Sequence, residues 1–387
     1  MTPLVAGGIW FAIVGLCVGS FLNVCICRLP RHESLVHPPS HCPLCDHRIR
    51  AWENVPVLSY VALGGKCRQC KARISVQYPL IEASTAVLFV LLWLRVAGLG
   101  LPVVAVAPPL VAASVLLAVS VTDLRHRTVP DALTLPALLI GLLLSLVEEA
   151  ARAPILAAGR LNPPWPSAAA ESATLPPALG GLVHAVLGAV AGAGVLLLLR
   201  ELGRALWGKA AQSSEEPVRL TVSNRGLAVG DGPYRPLAAI LPRGSDAVTI
   251  DLEAPPEEST LAEFCGAGDT LCLTRRNARC RGRTVPLERL GEFTVETKRW
   301  RLPREVLGLG DVKLATALGA FVGTTGILFS LLIGAVLGTV CGVLLLVLSG
   351  GRSGSALPFA PFIAAGGLAW FFAGPELLAW YVRMVAG

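Results

Sequence analysis

The chain is 387 residues long, 53% of them hydrophobic and 15% charged, with a mean hydropathy of +0.64. Ordinary soluble domains carry roughly 25% charged residues, so composition excludes a simple soluble domain and predicts a polytopic α-helical membrane protein. The net charge of +7 fits basic cytoplasmic loops rather than a nucleic-acid surface, and no nucleic-acid partner is expected.

Pro3 to Cys27 is uncharged and no basic segment precedes it, so 1–27 reads as a first transmembrane helix rather than a signal peptide. Largely apolar runs near 78–97, 102–122, 131–147 and 178–199 predict four more spans. The run 314–351 exceeds one crossing, for which about 20 residues suffice, and Gly323-Thr324-Thr325-Gly326 is a turn that divides it. A last span near 357–380 makes about eight.

The segment 28–77 carries Arg28, Arg31, Arg48, Arg50, Lys66, Arg68, Lys71 and Arg73 against Glu33, Asp46 and Glu53. The positive-inside rule puts it in the cytoplasm. It holds Cys42-x-x-Cys45 and Cys67-x-x-Cys70, close to the spacing of a four-thiolate zinc site. So short a segment, with little apolar content, needs such a staple. His37, His41 and His47 are neighbouring alternative ligands. No internal repeat is strong enough to use.

The region 78–200 then carries spans two to five, with the Pro- and Ala-rich loop 149–177 outside. Residues 201–305 read as a soluble cytoplasmic insert. Arg219–Val222, Ala247–Leu252 and Glu292–Glu296 alternate as strands do, and Gly, Pro and Asp clusters between them mark turns. A small β-rich domain is predicted, its arginines forming a solvated face near anionic lipid. Residues 306–387 return to the membrane.

Asp123 ends the charge-free run that begins at Val96, and Asp311 opens the run from Leu314 within Gly308-Leu309-Gly310-Asp311-Val312-Lys313. Counting spans puts both at the cytoplasmic side. Carboxyl groups at a membrane boundary are functional candidates, and two held close share one proton. Such a pair titrates as a unit: the ionised member takes a proton from water, and the protonated one supports the developing oxyanion. The alternatives are an interfacial anchor pairing Asp123 with Arg125 or Arg127, and Asp311 as a helix N-cap. Asp131 is expected to cap span four, Lys313 to snorkel to lipid headgroups, and His184 to be a core residue.

These blocks resemble the bacterial type IV prepilin peptidases, the bifunctional leader peptidase/N-methyltransferases. Gly19–Pro30, His37–Cys45 with Cys67–Cys70 and Tyr78–Glu82, Asp123–Pro136, Gly308–Lys313 and Pro358–Phe362 carry the resemblance. It implies a GxGD-type membrane aspartic endopeptidase with Asp123 and Asp311 as catalytic residues. It implies cleavage of prepilin and pseudopilin leaders at the cytoplasmic face of the inner membrane, typically after a glycine. Methylation of the new N-terminus, usually a phenylalanine, by S-adenosylmethionine follows, placed in the N-terminal cytoplasmic part; no glycine-rich nucleotide loop identifies its residues. Pilus or type II secretion machinery is the implied partner. The insert departs from the family pattern and leaves substrate range open. Three other readings stand beside this one. A presenilin-like protease also uses Gly-x-Gly-Asp, but would place a tyrosine where Thr122 stands. A proton-coupled transporter would favour repeated halves and broken helices. The zinc segment and insert could also form a docking scaffold.

Overall fold

The computed structural model describes residues 2–31, 33–157, 176–207, 210–223, 226–230, 232, 234, 236–241, 247–254, 259–263, 265–302, 307–348 and 357–386. The chain forms two compact units: Met1–Leu196 with Leu309–Arg352 and Leu357–Gly387, and Leu197–Gly308 with Ser353–Ala356. Residues 158–175 of the Pro- and Ala-rich loop lie outside the described residues.

The first unit is built from α1 (Pro3–Arg28), the short α2 (Leu58–Ala62), α3 (Gln77–Gly98), α4 (Ala107–His126), α5 (Asp131–Ala157), most of α6 (Pro177–Trp207), α7 (Leu309–Leu348) and α8 (Ala360–Ala386). Six helices among the described residues are long and apolar enough to cross a membrane, and Asp131–Leu146 is a shorter apolar one. The expected eight spans count this shorter helix, and count the two limbs of α7 separately.

Small residues bring these helices together, as they do where apolar burial alone gives no driving force between helices. A Cβ at Gly15 would lie 2.6 Å from the Ala86 Cα, and one at Gly19 2.6 Å from the Glu82 Cα, so α1 and α3 pack backbone to backbone. α4 stops where Arg127 turns left-handed (φ 52°) and its N–H caps the Asp123 carbonyl at 2.8 Å. Pro130 keeps the residue before it out of the helix and α5 begins one residue later.

α7 doubles back. Its helical geometry breaks at Gly323 (φ 69°, ψ −177°). A Cβ on Gly192 would meet the Ala315 carbonyl oxygen at 2.5 Å and the Ile327 Cγ1 at 3.0 Å. These residues would be about 18 Å apart along a straight helix, so the limbs 309–322 and 324–348 lie side by side. Positive φ and the His184 ring packed onto the Gly323 Cα both require glycine there.

The second unit is a seven-stranded antiparallel sheet: β1 (Ala210–Ser223), β2 (Gly226–Val229), β3 (Val248–Asp251), β4 (Thr270–Leu273), β5 (Asn277–Cys280), β6 (Arg283–Pro286) and β7 (Phe293–Leu302), in the order β2-β1-β7-β3-β4-β5-β6. The three strand segments predicted from alternation fall in β1, β3 and β7. Leu220, Val222, Val248, Ile250, Leu271, Leu273, Phe293 and Val295 alternate inward to one core. β7 pairs with β1 from Ala210↔Leu302 onward, so the first and last strands of the insert are neighbours.

Gly323→Ala is expected to destabilise the protein by about 1–3 kcal/mol, from left-handed backbone strain plus the clash with His184. Thermal unfolding in detergent checks this. Adding His184→Ala recovers only the steric part, so the double variant still melts below His184→Ala alone.

Candidate active site and sulfur cluster

Asp123 lies in the last turn of α4 and is 7% exposed, and Asp311 lies in the first turn of α7 and is 6% exposed. Arg125 and Arg127 are exposed. The Asp123 Oδ2 accepts the N–H of Ala360, the first residue of α8, at 3.3 Å. Each carboxyl group therefore stands at the N-terminus of a helix, where unsatisfied N–H groups and the helix dipole favour negative charge.

α8 sets the level of both. A Cβ on Gly367 would touch Leu318 of α7 at 2.8 Å and Leu116 of α4 at 3.2 Å. Leu318 follows Asp311 by two helical turns, Leu116 precedes Asp123 by two turns, and Gly367 follows Ala360 by two turns. The two acidic turns thus lie at one level, about 10 Å from a shared glycine.

The turn that bears Asp311 also meets the loop that follows α4. Gly310 lies against Val129, where a Cβ would come within 2.7 Å of the Val129 Cβ, so no larger residue fits this Gly-x-Gly-Asp position. Lys313 Nζ donates to Oδ1 and Oδ2 of Asp131 at 2.6 and 2.8 Å. This corrects two expectations. The lysine bridges α7 to α5 instead of snorkelling, and the Asp131 carboxylate, at the start of α5, goes to that lysine. His184 is half-buried against Gly323.

The four cysteines come together without any histidine. Cys42 and Cys70 Sγ are 3.7 Å apart, Cys45 and Cys67 Sγ are 3.9 Å apart, and all four lie within 4.8 Å of one another. Tetrahedral zinc–sulfur bonds of about 2.3 Å require sulfurs about 3.8 Å apart, so the set fits that ion. His41 instead bonds the Pro39 carbonyl oxygen and His47 bonds Glu53.

The cluster rests on an internal repeat missed in the sequence. Cys42-x-x-Cys45-x-x-Arg48-Ile49 recurs as Cys67-x-x-Cys70-x-x-Arg73-Ile74. The Cys42 N–H bonds the His47 carbonyl as Cys67 bonds Ala72, and Ile49 bonds Ser40 as Ile74 bonds Gly65. The residue after each second cysteine, Asp46 (φ 53°) or Lys71 (φ 59°), is left-handed. The N–H groups of Cys70 and Gln69 bring the Cys67 thiol down to about 6. At Cys45 the His47 N–H lowers the value, but burial and the other three sulfurs outweigh it and push it up to about 12. Four such close thiols cannot all ionise without a cation between them.

Glu53 ties the two halves together. It accepts from the His47 ring, the Arg50 N–H and Arg68 at 3.2–3.3 Å. The Arg50 N–H first, then His47 and Arg68, hold its carboxyl below the usual carboxylate range. Glu82, 6% exposed within α3, accepts the Val57 N–H at 2.7 Å and fastens this segment to the helices. Asn23 donates to the carbonyl oxygens of Gly19 and Tyr78 nearby. A charged residue inside an apolar run was the available signal for Glu82.

Two family models match the chain. The bacterial peptidase A24 N-terminal domain matches residues 13–96, and the type IV leader peptidase family matches 110–232 and 291–343. The break at 233–290 falls inside the β-sheet unit. A prepilin leader peptidase/N-methyltransferase of Myxococcus xanthus is 43% identical over 143 residues, 37% of this chain and 41% of that protein. One of Pseudomonas aeruginosa is 41% identical over 161 residues, covering 34% and 52%. A type 4 prepilin-like proteins leader peptide-processing enzyme of Escherichia coli is 38% identical over 156 residues, covering 35% and 55%. The chain thus spans about half the length of the curated relatives it matches. No solved structure matches. Membrane helices, the four-cysteine segment and the two aspartate blocks accord with both family matches, and the chain belongs to the type IV leader peptidase family.

Proposed function

We propose that this chain is a membrane aspartic endopeptidase that removes the leader from type IV prepilins and pseudopilins and then N-methylates the exposed residue. The observation that carries the proteolytic reading is two buried acids, Asp123 and Asp311, each at a helix N-terminus and each two turns from Gly367. One carboxylate draws a proton from a water molecule, which attacks the scissile carbonyl carbon. The other carboxyl, protonated, hydrogen-bonds the carbonyl oxygen as it becomes an oxyanion. Collapse of the tetrahedral intermediate passes the proton to the leaving amine. The Ala360 N–H on Asp123 and the α7 N-terminus at Asp311 favour keeping one negative charge in the pair.

The excess of basic residues in 28–77 supports a cytoplasmic orientation for this end of the bundle, at the inner membrane, where a leader would arrive. Cys42, Cys45, Cys67 and Cys70 hold a structural zinc ion. S-adenosylmethionine supplies the methyl group. Pilus or type II secretion machinery receives the product.

Incubating the purified protein with a prepilin and reading masses tests this directly. Leader loss is expected, followed by a one-methyl gain only when the methyl donor is added. Asp123→Asn and Asp311→Asn should each lower cleavage at least about a hundredfold; a variant that cuts at the parent rate removes that aspartate from the mechanism.

Zinc removal should act locally. Structural sites of this kind contribute about 10 kcal/mol or more to folding, so a strong chelator is expected to expose 41–74 to rapid proteolysis. Persistence of the protected fragment after metal analysis reads zero zinc would refute a structural ion.

Glu53 sets an acid dependence. Because its carboxyl is held low in the folded state, its stabilisation is complete above the ordinary value of about 4.3 and is lost as pH falls through the lowered one. Proteolytic protection of wild type over Glu53→Gln should therefore be largest near neutral pH and vanish in strong acid. An advantage that grows on acidification contradicts this sign.

A further inference from the structure

We propose that Asp131 and Lys313 are positioning residues, whose ion pair locks the turn carrying Asp311 to the turn that follows Asp123 and so fixes the separation of the two carboxyl groups. This rests on the reading of Asp123 and Asp311 as the catalytic pair.

The pair closes a ring of contacts. Asp123 lies in the last turn of α4, and its carbonyl accepts the N–H of the left-handed Arg127. Two residues later Val129 lies against Gly310. Asp131 then opens α5 and holds Lys313 through both carboxylate oxygens, at 2.6 and 2.8 Å. Lys313 opens the second turn of α7, next to the turn of Asp311.

Lys313 follows Asp311 by two residues, about 200° around a helix. Anchoring the lysine toward α5 therefore turns the aspartate to the other side of α7. A lysine that only reached for headgroups would need no carboxylate gripping it with both oxygens. The side chains of Lys313 and Asp131 are 40% and 56% exposed. Such a pair adds little to global stability. Its effect is on geometry, where a displacement of about 1 Å at reacting groups can cost about a hundredfold in rate.

The test uses the full chain in lipid nanodiscs with an intact prepilin. The variants are Asp131→Asn, Lys313→Met and the exchanged pair Asp131→Lys/Lys313→Asp. Each single change should lower kcat about tenfold or more with KM within about twofold. Melting temperatures should stay within about 3 °C of wild type. The exchanged pair should recover kcat to within about threefold. Without substrate, amide exchange over 123–131 and 309–316 should quicken about tenfold in the singles and return in the exchanged pair. Wild-type kcat in the singles, or an exchanged pair no better than they are, overturns the proposal. So does a rise in KM alone, which would make these residues contacts for the leader. If wild type leaves the prepilin uncut, the functional reading fails, and unchanged amide exchange in the singles then overturns the lock by itself.

Discussion

An ion moved out of water into a protein costs several kcal/mol even after its surroundings relax, unless partners compensate. Asp123 and Asp311 meet that cost with helix ends. α8 begins where its first N–H can reach Asp123, and α7 begins one turn around Asp311. Placing two helix N-termini at one level requires the helices to be in register, and the register comes from absent side chains. Gly367 lets Leu116 and Leu318 approach from either side, and Gly310 lets α7 close on Val129. The glycines thus belong to the same device as the acids: any bulk there would move a carboxyl-bearing turn relative to its partner.

The fold-back of α7 and the closure of the insert answer a related demand. Asp311 enters the bundle at the end where Asp123 leaves it, although the β-sheet unit intervenes in sequence. Pairing β1 with β7 sets the insert's first strand beside its last, with Ala210 opposite Leu302. An insertion whose ends are already paired adds little closure entropy to the helices that flank it, since that cost grows only slowly with loop length. The family match breaks off and resumes within this unit, as expected of a self-contained sheet with its own core.

Much of this was legible in the sequence, for reasons that differ by element. Apolar runs revealed the membrane helices because about 20 predominantly apolar residues are needed to span a bilayer, and Gly323 marked the fold-back because glycine tolerates the required φ. The four cysteines were legible as a set through their spacing. Lys313 was not: sequence distance from Asp131 hides a contact made only when α5 and α7 pack side by side. The repeat around Cys42 and Cys67 escaped because its shared positions are few, although the backbone bonds repeat one for one. Glu82 escaped because one acid in an apolar run gives no clue to its partner, here a backbone N–H contributed by Val57.

Partners separate the acids of this chain more sharply than residue type does. Glu53 is satisfied by the Arg68 guanidinium, the His47 ring and the Arg50 N–H and holds two sulfur-bearing turns together. Glu82 accepts a backbone N–H across elements and holds that segment to α3. Asp131 is matched by the full positive charge of Lys313 and is half in solvent. Asp123 is buried and receives a backbone dipole rather than a cation from α8, while Asp311 is buried in the first turn of its own helix. Dipoles stabilise a carboxylate less than a cation in direct contact does. The separation of Lys313 from Asp311, two residues along but on the far side of the helix, leaves this cation on the half-exposed Asp131, through both of its carboxylate oxygens.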